Sequence, residues 1–251
     1  MNSVEAVVTA ATKLMLAGHW TAATELLDAT RSDDPAEQHS LALARAAVAV
    51  DHDFGQQSDH ATAALAAVPE DSWDLALLEL RKDYADALFR SGDGDLRDRM
   101  LTLVGDAPDD ARRAAASFWA GAIADNVYEQ PAEAIEHYTH ALELGDELTK
   151  AQALRHLGHH SHAAGNLELA REQWEQSTEL LQKHGHLRPA LAQQAHLAIL
   201  LRDEGDADGS AALATEVTRW ARQLGIGFIV DQTEELMRDL MVRRTPQERP
   251  R

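Results

Sequence analysis

"LRHLGHHSHAAGNLELAREQW", residues 154–174, carries two readings at once. Four histidines, His156, His159, His160 and His162, crowd into seven positions, a density that invites a metal site or acid/base chemistry. Beneath them runs a second pattern. Gly165 and Asn166 break the stretch, and after the break Ala170, Trp174 and Ser177 recur at i, i+4 and i+7, the stripe by which a helix buries one face. Leu157 and Gly158 stand before the break, so the segment reads as two helices joined by a short turn.

Working outward, similar breakers recur along the chain: Gly18 in "LAGHW", Gly55 in "DFGQQ", Gly92 in "RSGDGD", Gly165 and Gly205 in "DEGDAD". Gly18 to Gly55 and Gly55 to Gly92 are both 37 residues, Gly92 to Gly165 is 73, and Gly165 to Gly205 is 40. The double interval predicts a sixth turn near residue 129, where "NVYEQPAEAIEHY" places Pro131 in the first turn of a following helix. A fixed period of this length signals stacked supersecondary units, each too small to bury its apolar face alone. The second helices "TAATELLDAT" and "PAEAIEHYTHALEL" repeat the small-then-bulky stripe, with Ala23 and Leu27 in one and Ala134, Tyr138 and Ala141 in the other.

At these residues the chain resembles the tetratricopeptide repeats. Leu157-Gly158 is similar to that family's large-then-small pair on a first helix, Ala170 to its small residue on the second, and Trp174 to its bulky anchor. The match is best over residues 115–185; the first helices of the first three units lack the family's tryptophan. The resemblance implies an all-α, right-handed α-solenoid of about six helix-turn-helix repeats, and the helix "FIVDQTEELMRDLMV" would cap its open end through Ile229, Leu236 and Leu240. Residues 1–243 are expected to form a single domain, and residues 244–251 a basic, frayed tail.

Composition narrows the function classes. Acidic residues number 42 against 23 basic, a formal net charge of −19, which repels phosphate backbones and argues against nucleic-acid partners. With no cysteine, any metal needs histidine and carboxylate ligands. No 18-residue apolar run predicts a membrane span, and the N-terminus, with Glu5, no basic leader and polar residues within its apolar run, does not read as a signal peptide, so a cytoplasmic location is expected. Acidic loops such as "RSDDPAEQ" and "GDAPDD" read as solvated faces.

In a stack of helix pairs the first helices line a concave groove, and resemblance to the family implies that ligand contacts come from there. Counting back from each turn glycine assigns Arg45, His52 and Asp53 to the groove, then Lys82, Asp86, Phe89 and Arg90, then Phe118 or Trp119 with Asp125 and Asn126, then Arg155, His159 and His162, and last Arg202 and Asp203. The arginines suit carboxylates of a peptide partner. The aspartates leave the sign of the groove open.

The favoured reading is a non-enzymatic adaptor that binds a protein or peptide in this groove, with His159 and His162 as polar contacts and no cofactor. The alternative is a small-molecule- or metal-binding protein, possibly an enzyme, with zinc or another divalent ion held by His159, His162, Asp125 and His196. No phosphate loop or nucleophile elbow accompanies the histidines. Clustered imidazoles also suggest pH sensing near pH 6. The five tryptophans read as packing anchors.

Overall fold

The computed structural model describes residues 3–90 and 95–244. The turn expected at Gly92 lies outside them, as does the expected tail from residue 245 onward; Arg244 still belongs to the last helix. Among the described residues the chain is all helical, without a strand: α1 (Val4–Leu16), α2 (Trp20–Asp28), α3 (Pro35–Gln56), α4 (Ala61–Ala66), α5 (Trp73–Phe89), α6 (Leu96–Gly105), α7 (Asp110–Asn126), α8 (Pro131–Leu144), α9 (Glu147–Ala163), α10 (Leu167–Lys183), α11 (Leu187–Asp203), α12 (Ala207–Gln223) and α13 (Gly227–Arg244). Each helix packs chiefly on its neighbours in the chain, as helical repeats do.

The turns follow from local chemistry. Gly18, Gly165, Gly185, Gly205 and Gly225 all take positive φ, the left-handed conformation that closes a helix C-terminus. After α9 the Gly165 amide donates to the His162 carbonyl and the Asn166 amide to the Ser161 carbonyl, the paired bonds of a Schellman turn; the same pair recurs after α10, α11 and α12. These last turns fall 20 residues apart, so helices of 17 residues alternate with three-residue links. The turn predicted near residue 129 is present, with Glu129 itself at φ 53°. Several acidic loop residues are helix caps: Asp34 accepts from the amides of Ala36 and Glu37, and Asp109 from that of Arg112.

Gly55 corrects the turn assignment. It lies inside α3, buried, and the helix ends at Gln57 in the left-handed region. What requires glycine at 55 is close approach, because a Cβ there would meet the Trp20 ring at 3.0 Å. The small-then-bulky stripe has the same geometric basis. A Cβ at Gly121 would sit 2.6 Å from the Tyr138 ring, and one at Gly158 would collide with the Trp174 indole, so α7 and α8, and α9 and α10, meet at glycine against aromatic. Ala134, Tyr138, Ala141, Ala170, Trp174 and Ser177 are all buried, and the Ser177 hydroxyl donates to the Ala151 carbonyl at 2.7 Å. In α13, Ile229, Leu236 and Leu240 are buried on one face, as expected of the final helix. Trp220 departs from the anchor reading, being 46% exposed beneath the Arg219 guanidinium.

Among the described residues no helix is long and apolar enough to cross a membrane.

Candidate functional site

The odd-numbered helices from α3 to α13 line an open-mouthed chamber of about 300 Å³. Its charged and polar lining comes from Asp51 (α3), Arg81 (α5), Asn126 (α7), Gln152, Arg155 and His156 (α9), and His186 and Arg188 at the start of α11. Aromatic walls are supplied by Phe54, Tyr84, Phe118 and Trp119, and by Phe89 and Phe228, which also keep more than 40% of their surface exposed.

Closure of the chamber rests on a contact across 137 residues. The Arg188 Nη2 donates to Asp51 Oδ1 at 2.9 Å, while the Trp20 indole N–H donates to Asp51 Oδ2 at 2.8 Å. The Arg188 guanidinium also lies 4.8 Å over the Phe54 ring. The stack therefore curls until α11 meets α3. Burial alone would raise the Asp51 carboxyl, but Arg188 and the Trp20 hydrogen bond overcome it and hold the group below its ordinary range. Asp51 is thus ionised and committed to these partners.

The other two guanidiniums have no such partner. Among the described residues neither Arg81 nor Arg155 has a carboxylate in ion-pair contact. Arg81 stacks on the Trp119 ring at 4.9 Å, and Arg155 Nη2 donates to His156 Nε2 at 2.7 Å. Because guanidinium only donates, His156 is a neutral tautomer that carries its proton on Nδ1 and donates to the Tyr138 hydroxyl oxygen at 3.1 Å; the Tyr138 hydroxyl donates on to Asp125 at 3.4 Å. Burial first, then Arg155, pushes His156 well below the imidazole range. Burial and Arg188 hold His186 at about 4, and burial with Arg155 holds His196 at about 3. Three arginines face one carboxylate among neutral histidines, and Nε of each arginine is buried without a hydrogen-bond acceptor, as is His186 Nδ1.

Of the groove residues expected from the sequence, Phe89, Phe118, Trp119, Asn126 and Arg155 line this chamber. Lys82, Asp86 and Arg90 line a smaller hollow between α3 and α5 together with Asp53, and there Asp86 pairs with Lys82 at 2.7 Å and Arg90 at 3.2 Å. Arg45 turns instead to Asp28 at 2.9 Å and to the Leu27 carbonyl. His52 is stacked between the Trp20 and His60 rings. His162 and Arg202 both bond Asp203, at 2.9 and 2.8 Å.

The metal alternative is corrected. Among the described residues no three His, Cys, Asp or Glu side chains come together as a metal-binding set. Asp125 meets His160 at 3.2 Å and His162 meets Asp203, while His159 lies beside His196 with ring centroids 6.0 Å apart, so only two of the four expected ligands adjoin. Burial holds His156 well below the imidazole range, which takes it out of the expected pH-sensing cluster, and lowers His159 as well. It is His156, one residue beyond Arg155, that reaches the chamber.

Helix phase explains what counting from turns missed. A helix turns about 100° per residue, so a one-residue error moves a side chain to another face. With Gly55 taken as a turn, Asp51 and Phe54 went unassigned, and in α5 the count favoured Lys82 over Arg81. A usable signal was nevertheless present. Arg81, Phe118 and Arg155 recur at the 37-residue step, each as the ninth residue of a 17-residue helix, and Trp119 and His156 repeat that step one place on. Arg188 had no such signal, because its role depends on contact with α3.

No protein-family model and no curated protein sequence matches this chain.

Proposed function

We propose that the chain is a non-enzymatic helical-repeat binding protein of the tetratricopeptide kind, about six two-helix units in a right-handed solenoid with α13 as its cap, and that it receives a ligand inside the open-mouthed chamber. The ligand is a small molecule or the end of a peptide, and occupancy is the signal or cargo that a partner protein reads. The supporting observation is the chamber itself: about 300 Å³, at the small end of the range of small-molecule sites, with a mostly apolar aromatic wall and a few convergent polar groups. A groove crossed by the Arg188–Asp51 bond encloses a small ligand more readily than a folded partner. No nucleophile paired with a base lines it, which favours binding over covalent catalysis.

Filling the chamber tests the reading. Ala192 lines it at the start of α11 and is largely buried. Native mass spectrometry of wild type and Ala192→Phe, each incubated with a small-molecule extract, is expected to show added mass on wild type only. Equal added mass on both proteins, or none on wild type, sinks the proposal.

A further inference from the structure

The charge of the chamber narrows the ligand's chemistry, and the argument rests on the ligand-binding reading above. Three guanidiniums line the space, and only Arg188 is ion-paired, to an Asp51 whose second oxygen is taken by Trp20. Arg81 and Arg155 are half-buried, and among the described residues neither has a carboxylate in ion-pair contact; Asp125 is reached from Arg155 only through His156 and Tyr138. His156 and His186 stay neutral, and the Tyr84 phenol, pushed up to about 12 chiefly by burial, brings no negative charge. Three guanidiniums against the single Asp51 carboxylate leave the lining with an excess of two positive charges, which is costly where water is partly excluded. Arg81 interacts electrostatically with Asp51 as well as with Arg188, and Arg155 interacts with Arg188, which places the four groups in one field. The formal charge of −19 belongs to the whole chain and is screened beyond about 8 Å at physiological salt, so it does not neutralise this interior cluster.

Guanidinium is the donor geometry matched to carboxylate and phosphate. The walls beside it are not polar: Phe54, Phe118 and Trp119 offer ring faces and edges, with Phe89 and Phe228 contributing further rings. A purely inorganic anion would use the arginines and leave this apolar surface unsatisfied; a neutral aromatic would do the reverse.

We propose that the chamber binds a small organic anion, in which a carboxylate or phosphate group is held by Arg81, Arg155 and Arg188 and an apolar or aromatic body lies against Phe54, Phe118 and Trp119. The excess of two positive charges favours a dianion over a monoanion. The Arg188–Asp51 contact then fixes one wall, and Arg81 and Arg155 supply the free charge.

Four probes decide it by isothermal calorimetry and thermal unfolding: phenyl phosphate, phenylsuccinate, inorganic phosphate and benzyl alcohol. Phenyl phosphate or phenylsuccinate is expected to bind and raise the unfolding temperature, and which of them binds more tightly names the headgroup. Inorganic phosphate is expected to bind at least tenfold more weakly than the tighter of the two, and benzyl alcohol to give no shift. Arg81→Met and Arg155→Met should each weaken the tighter probe at least tenfold. Thermal unfolding of the ligand-free variants separates loss of binding from loss of fold. Arg81→Lys, which keeps charge and loses the planar fork, gives a second measurement, with affinity expected between wild type and Arg81→Met.

Equal binding of benzyl alcohol and phenyl phosphate, no binding of either organic anion, or undiminished affinity in both Met variants overturns the proposal. Ala192→Phe separates the two readings. Anion binding lost in Ala192→Phe but intact in the Met variants overturns the charge assignment alone, whereas anion binding intact in Ala192→Phe overturns the chamber as the site.

Discussion

Gly158 and Gly165 stand seven residues apart and are glycine for different reasons. At Gly158 the limit is space, because an added methyl meets the rigid Trp174 indole; at Gly165 nothing lies within reach, and the constraint is φ +80°. Overpacking a helix contact costs about 1–3 kcal/mol, and placing an L-residue in the left-handed region about 1–2 kcal/mol. Urea unfolding should therefore find both Gly158→Ala and Gly165→Ala destabilised. Asparagine separates them, since it tolerates left-handed φ: Gly165→Asn should recover much of the loss, and Gly158→Asn should be worse than Gly158→Ala. If asparagine has the same effect at both positions, the distinction between strain and sterics is wrong.

Among the elements, α11, like α9 with its His156, is expected to be sensitive to acid. It carries His196 and is preceded by His186, both held far below the ordinary imidazole value and so neutral in the folded state. The unfolded chain binds their protons near pH 6.5, so their contribution is complete above that value and drains away as pH falls toward about 4 and about 3. Asp51, whose carboxyl is depressed, acts only below the ordinary carboxylate range and in the same direction. The urea midpoint should fall steadily from pH 7 to pH 4.5, and His186→Asn should flatten that slope. A wild-type midpoint unchanged across this window would refute the assignment. The turn at Gly205 that ends α11 was legible in the sequence; the burial of its histidines was not, because it is set by the helices on either side.

For the whole molecule the decisive contact is Arg188 to Asp51, which joins the first and last thirds of the chain. Truncating one partner of a buried ion pair costs about 3–5 kcal/mol, because the other is left charged and alone. Arg188→Ala and Asp51→Asn should each destabilise the fold. Small-angle scattering should show a larger radius of gyration for both, as α11 moves away from α3, and the double variant should lose less than the sum of the two. Unchanged dimensions in all three would mean that stacking alone sets the curvature. Any ligand of the chamber should protect wild type more than the opened variants.

Local chemistry in the sequence determined the helices, their turns and the pairing of Gly158 with Trp174, since helix periodicity, left-handed glycines and small-against-large packing act over a few residues. It also placed Phe89, Phe118, Trp119, Asn126 and Arg155 on the inner surface. Which neighbours of those residues share that surface depended on helix phase, and a single turn assigned inside α3 was enough to misplace it. That His159 and His162 serve other contacts while His156 faces the chamber follows from the same rotation. The union of Asp51 with Arg188 was decided only in three dimensions, because the curvature of the stack is the accumulated sum of small rotations between helix pairs. From that contact comes a chamber in which three guanidiniums share one carboxylate.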